Sequence, residues 1–324
     1  MVDFPALLAK LASLSGGPDA AGPPSYANAS LRAADVPNDL SFLVGLRRRI
    51  KFTEADRGPR AVLLSGTRAY VANYFSDSLT VIDLAAPNPV AESVPLQAPP
   101  AMSVARRGEA LFNDATLCFQ GWQSCASCHS SDGRVDGLNW DNLNDGIGNP
   151  KNAKSLLYAH QTPPSMWLRV REDAGTAVRA GIRFSMFTVR PEADAEALDE
   201  YIQSLDPIPS PRLVKGALSP AAQRGKQVFL AKTTGCADCH PPNRFFTNLE
   251  RHDVGTRGKY DKPTDSFDTP TLVEVWRSGP YLHDGSAASV RDVITSRNRT
   301  DRHGRTTHLT TREIDELVEY ILSL

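Results

Sequence analysis

Two pentapeptides, Cys125-Ala-Ser-Cys128-His129 and Cys236-Ala-Asp-Cys239-His240, carry the clearest chemistry in the chain. The spacing sets two thiols to add across the two vinyl groups of one haem, while the adjacent imidazole reaches the iron from one side. A lone Cys-x-x-Cys also serves zinc or dithiol exchange. Here histidine follows at once, twice, in register with a duplicated flanking helix. The expected cofactors are two covalent haem c groups, attached at Cys125, Cys128, Cys236 and Cys239, with His129 and His240 as proximal iron ligands.

The opposite face of each iron decides between electron transfer and chemistry, because a sixth protein ligand blocks it and an open position admits a small oxidant. The methionines are Met1, Met102, Met166 and Met186. None follows residue 186, so the second haem has no methionine in its own half. Its distal candidates are His252, His283, His303 and His308, with His303, in Asp301-Arg-His-Gly304 before the last helix, the first choice. Cys118, the fifth cysteine, is expected to be a buried small hydrophobe.

These sites need elements to position them. The chain has 324 residues, 41% of them hydrophobic, and a formal net charge of −1, which allows two or three packed domains and shows no nucleic-acid footprint. Apolar runs fall short of the about 20 residues of a membrane span. Asp3 and Lys10 interrupt any secretion signal, so we expect the chain to begin inside a longer, exported protein, periplasmic or otherwise outside the cytoplasm, where covalent haem is attached.

Residues 1–57 are expected to be irregular, with a short amphipathic run from Leu7 to Leu14 and a Gly/Pro/Ser/Asn-rich stretch around Gly16 to Ser30. Residues 58–95 read as an antiparallel meander, with runs Ala61 to Leu64, Ala69 to Tyr74 and Leu79 to Leu84 split by Ser65-Gly66 and Ser76-Asp77. After the Pro95 to Pro100 linker the chain duplicates. Ala105 to Phe112 recurs as Ala222 to Phe229, and Leu198 to Leu205 as Leu317 to Leu324, all with helical periodicity. The fold class expected is mainly α: two cytochrome c-like haem domains in tandem, 101–208 and 212–324, joined by Asp206 to Pro211 and preceded by the short β segment.

The segment Ala69 to Leu84 resembles one blade of the β-propellers built on Tyr-Val-Thr-Asn repeats. Residues 101–324 resemble the bacterial di-haem cytochrome c peroxidases and their relative in methylamine utilisation. The resemblance rests on both haem motifs, Lys151 to Leu156, Met166-Trp167 and Thr269 to Ser286. It implies that Trp167 lies between the haems as a stepping stone for electrons. It also implies that Asn152, Ser278 and Pro280 hold a calcium ion through hard oxygen ligands, and that His283 is a hydrogen-bonding residue near the second haem.

The chain departs from that pattern at the first haem. The family's distal glutamine and glutamate positions are Ala177 and Phe187, so the pair that moves a proton between peroxide oxygens is missing. The family's capping histidine has no counterpart between Asp132 and Asn149, and its methionine at the second haem falls near Arg297. Either Glu172, Arg179, Arg183 or His160 supplies polar help at an open iron, with Trp167, Glu172 and Arg183 the catalytic candidates, or Met186 ligates it. The function expected is peroxide reduction at the first haem, with hydrogen peroxide as substrate and electrons from a small cytochrome c or cupredoxin through the second haem. Oxidation of a partner protein's side chain, pure electron transfer, and haem-based sensing on a propeller are the alternatives.

Overall fold

The computed structural model describes residues 1–14, 33–39, 41–97, 101–141 and 148–324. The expected irregular stretch Gly16 to Ser30 lies outside the described residues, as do 98–100 of the proline linker and 142–147 of the segment without a capping histidine. The chain divides after Pro100 into two compact units, Met1–Pro100 and Ala101–Leu324. With 33% helix and 14% strand it is mixed helix and sheet, where a mainly α chain was expected. No described helix is long and apolar enough to cross a membrane.

In the first unit, α1 (Phe4–Ala12) forms where irregular structure was expected. Asp3 accepts from the amide of Ala6 at 3.0 Å, Pro5 suits the first turn, and the Lys10 ammonium donates to the carbonyl of Phe42 at 2.6 Å. The meander has four strands, β1 (Pro59–Ser65), β2 (Arg68–Asn73), β3 (Ser78–Asp83) and β4 (Ala91–Pro95), antiparallel in that order. Burial alternates along β2 and β3, as one covered face requires. The fourth strand was not expected because Ala-Glu-Ser-Val-Pro offers no apolar or β-branched run. Asp56 gathers the hydroxyls of Thr53, Ser78, Thr80 and Ser93 under the sheet.

In the second unit the four periodic runs fall in helices α2 (Val104–Asn113), α6 (Glu192–Gln203), α7 (Pro220–Leu230) and α10 (Thr311–Ile321). Between them, in chain order, lie α3 (Cys125–Cys128), α4 (Ser130–Gly133) and α5 (Ala174–Ala180), then α8 (Cys236–Cys239) and α9 (Val290–Ile294). Short paired segments complete it: β5 (Asn139–Trp140) with β6 (Lys151–Asn152), and β7 (Arg251–His252) with β8 (Phe267–Asp268).

Helix α2 packs on α6 and α7 on α10, in matching ways. Phe112 meets Tyr201 with ring centroids 5.1 Å apart, and Phe229 meets Tyr320 at 5.3 Å. At each crossing a glycine lets the backbones touch: a Cβ on Gly108 would lie 1.8 Å from the carbonyl oxygen of Ala197, and one on Gly225 1.8 Å from that of Glu316. The repeat therefore preserves the crossing as well as the apolar stripe. The segment joining the halves is pinned, with the carbonyl of Asp206 accepting from Arg134 at 2.9 Å and Ser210 donating to the carbonyl of Leu322 at 2.6 Å.

Candidate haem sites and the space between them

Each Cys-x-x-Cys-His motif is a single helical turn that ends on its histidine. The turn at α3 is closed by a reciprocal Ser124–Ser127 cap. The turn at α8 begins at Gly235, whose φ of 71° favours glycine. His129 then bonds through Nδ1 to the carbonyl oxygen of Lys154 at 2.9 Å, and His240 through Nδ1 to that of Phe246 at 2.7 Å. Each bond fixes the ring and leaves Nε2 to a metal.

The chemistry of these donors fits haem attachment. All four motif cysteines are free thiols. Burial pushes Cys125 and Cys128 up to about 11 and raises Cys236 and Cys239, so neither pair behaves as a low-pKa redox dithiol. Burial also lowers His129, and brings His240 down to about 4, which keeps both imidazoles in the neutral form that binds iron. Both motifs line one cavity of about 750 Å³.

Across that cavity His240 faces His303, with ring centroids 6.4 Å apart and planes at 33°. An iron held between two imidazoles by metal–nitrogen bonds of about 2.0 Å would set the centroids about 6 Å apart. The gap fits one iron. His303 is neutral too, lowered to about 4 by burial and then by the nearby His240. The other candidates are engaged or remote: His252 meets Asn248 at 3.0 Å, His283 meets Asp261 at 2.8 Å, and His308 is exposed.

Around the first motif the arrangement differs. Helix α5 and the π turn Gly181–Ser185 present Ala174, Ala177, Val178, Ile182 and Phe184 to the cavity, with Phe187 just beyond. Glu172 and Arg183, expected as catalytic candidates, are exposed and do not line it. Arg179 is bound to Asp199 and Glu192, and His160 sits 3.4 Å from Asp199, also away from the cavity. Sequence proximity to the haem wall did not reveal which face of the turn each side chain takes. Met186 is buried beside Cys125, packed by Leu111, Ile182 and Leu198, and it also lines the cavity. Cys118 is buried as well.

Trp167 lines the same cavity as the two motifs. The amide of Asp268 donates to its carbonyl at 2.8 Å, and the amide of Asn152 donates to the carbonyl of His283 at 2.7 Å. Asn152 and Asp268, like Trp167 and His283, occupy equivalent places in the duplication, so the halves exchange equivalent backbone bonds. The equivalence extends to positive φ at Tyr158 (61°) and Glu274 (60°), and at Met166 (76°) and Leu282 (73°). The rings of Trp167 and His283 meet edge-on at 6.4 Å, and Phe267 stacks on His283 at 3.5 Å. Asp268 and Phe267 carry no motif of their own in the sequence; aligning the loops of the repeat as well as its helices points to them, while Lys154 lies in the Lys151 to Leu156 segment with no role of its own assigned there.

The calcium set is only partly assembled. Asn152 Nδ2 donates to the carbonyls of Pro280 at 2.6 Å and Leu282 at 3.3 Å, so the amide itself closes the junction. The Ser278 hydroxyl donates instead to the carbonyl of Glu274 at 3.0 Å. Among the described residues no cluster of three His, Cys, Asp or Glu could hold a metal ion. The Asn152 Oδ1 is buried with no hydrogen-bond partner, and its amide lies against the carbonyl of Pro280, oxygens of the hard kind that calcium takes.

Residues 103–212 match the family described as di-haem cytochrome c peroxidase. The chain is 33% identical over 271 residues to the hydrazine synthase subunit gamma of Kuenenia stuttgartiensis, covering 68% of this chain and 77% of that protein. It is 27% identical over 292 residues to the methylamine utilization protein MauG of Methylophilus methylotrophus, covering 71% and 84%. Among solved structures, hydrazine synthase of Kuenenia stuttgartiensis pressurized with 20 bar xenon superposes with a TM-score of 0.63 at 30% identity, covering 70% of this chain and 89% of that one. The chain belongs to the di-haem cytochrome c peroxidase family.

Proposed function

We propose that this di-haem oxidoreductase takes electrons from a small carrier, a cytochrome c or cupredoxin, at the C-terminal haem and passes them to a small oxidant at the N-terminal haem. The observation that carries this reading is the inequality of the two motif histidines. His240 faces a second imidazole at the separation one iron needs, whereas the wall that α5 and the π turn give the first site holds no ionisable side chain.

Haem supplies one-electron chemistry, and the chain's own residues do the rest. Cys125, Cys128 and His129 hold the first haem; Cys236, Cys239, His240 and His303 hold the second and close it to exogenous ligands. Trp167, fixed by Asn152 and Asp268, stands between them. Hydrogen peroxide is the oxidant proposed, each molecule taking two electrons and two protons to give two waters. With Ala177 and Phe187 in the wall, those protons come from water. Two cytochrome c-like domains in tandem, 101–208 and 212–324, and export to the periplasm belong to the same reading, as does a blade-like origin for the four-stranded meander.

A second reading, electron transfer alone or oxidation of a partner's side chain, is favoured by the positions of Glu172 and Arg183 outside the cavity. Optical and electron paramagnetic resonance spectra of the haem-loaded protein, oxidised and half-reduced, separate the two. One low-spin haem and one high-spin haem that responds to peroxide are expected. Two low-spin haems indifferent to peroxide in both states would overturn the proposal.

A further inference from the structure

Lys154 does two things at once. Its carbonyl fixes the proximal imidazole of His129 at 2.9 Å, and its ammonium lies over the indole of Trp167, 5.3 Å from the ring centroid. Asp268 holds the ammonium there by a short hydrogen bond, and also lies 3.7 Å from the guanidinium of Arg169. Two cations thus share one carboxylate beside the indole. The indole N–H donates to the carbonyl of Asn152 at 2.7 Å, a group too weakly basic to take its proton.

We infer that Lys154 is a positioning residue that makes Trp167 hard to oxidise, so that electrons cross between the haems without the indole itself holding the positive charge. This rests on the reading that Trp167 stands in the electron path. A cation over an aromatic face is attracted by the π electrons. Removing one electron from the ring replaces that attraction with repulsion. Loss of the N–H proton would relieve the charge, but the acceptor it meets is a backbone carbonyl. Both features oppose the same step, in which one electron leaves the indole for the oxidant and the proton stays on Nε1.

The sign of this effect separates it from a packing role. In K154M the indole keeps Asp268 and Arg169 nearby but loses the closest cation, so oxidation becomes easier. In D268N both cations remain uncompensated, so oxidation becomes harder, although a half-buried ion pair is broken in each variant. K154R keeps the charge and should behave as the wild type.

The test uses the haem-loaded protein and two oxidants. Hydrogen peroxide acts through the proposed activity and would leave Trp167 carrying one added oxygen, with water as the other product. Photogenerated tris(bipyridyl)ruthenium(III) takes electrons one at a time from exposed or half-buried indoles without that activity, two in succession giving the same added oxygen from water with release of two protons. Peptide mass analysis then reads oxygen incorporated at Trp167. K154M should be labelled at least about tenfold more than wild type, from a unit charge acting over roughly 5 Å at an effective dielectric of about 20, and D268N less than wild type. That order under ruthenium with no reaction to peroxide sinks the peroxide reading and leaves this inference standing. Equal labelling of the three proteins under ruthenium, or a rise in both variants, overturns it.

Discussion

Arg134 and Glu274 form a two-pronged ion pair between the halves of the haem unit, with Nε to Oε2 at 2.7 Å and Nη2 to Oε1 at 3.0 Å. Their side chains are 2% and 1% exposed, and Glu274 also accepts from the amide of Ile208 and from Arg277. The pair ties the loop after the first haem motif to the turn that leads to His283. Breaking one side of a buried pair costs about 3–5 kcal/mol when the other charge is left unmatched, and because Arg277 still meets Glu274 the lower end applies here. R134M should therefore lower the unfolding free energy of the holoprotein by about 3 kcal/mol, read from chemical denaturation.

The same carboxylate shapes the acid limb. Burial raises the pKa of Glu274, but hydrogen bonds from Arg134, Ile208 and Arg277 outweigh it and hold the group below its ordinary value. A group depressed in the folded state contributes stability that is present above its unfolded pKa of about 4.3 and is lost as pH falls through the folded value. E274Q should flatten the loss of stability below about pH 4. An unchanged acid limb in chemical unfolding would rule out this assignment.

Gly108 and Gly225 occupy equivalent helix crossings, and a methyl group at either would meet a carbonyl oxygen at 1.8 Å. The backbones must separate to admit it. G225A should cost about 3 kcal/mol, at the upper end of overpacking penalties. Because α7 leads directly into the second motif, the haem held there should also lose spectral homogeneity. G108A should do the same to the first haem alone.

The haem motifs and the four repeat helices were legible because thiol spacing and apolar periodicity are local properties. The β meander was legible where apolar and β-branched runs lie between turn signals, and β4, Ala-Glu-Ser-Val-Pro, offers no such run. The crossing of Trp167 with His283 was not legible, since it is built from backbone amides that any residue supplies. Glu172 and Arg183 stood near the first haem in sequence, yet the π turn rotates Arg183 outward, over the ring of Phe184 at 5.5 Å. The place of Ser278 in a calcium site rests on position in the resemblance alone, since its hydroxyl satisfies its own turn and leaves only the backbone oxygen to offer. His303 emerged from a shortage of methionine, and only the fold showed it opposite His240.

His303 gives the sharpest assay. If it closes the C-terminal haem, H303A removes the sixth ligand while leaving His240 and both thiols in place, so one low-spin signal in the oxidised protein should become high-spin and accept azide. H303M should stay low-spin and raise the reduction potential, because a thioether opposite histidine favours the reduced iron. H252A and H308A should leave the spectrum unaltered, since the first ring is held by Asn248 and the second is exposed. Neither variant packs against the His240 ring, so a spin change in one of them with none in H303A would transfer the ligand role to that residue. A low-spin H303A protein whose C-terminal haem still refuses azide would show that His303 shields the site without binding it.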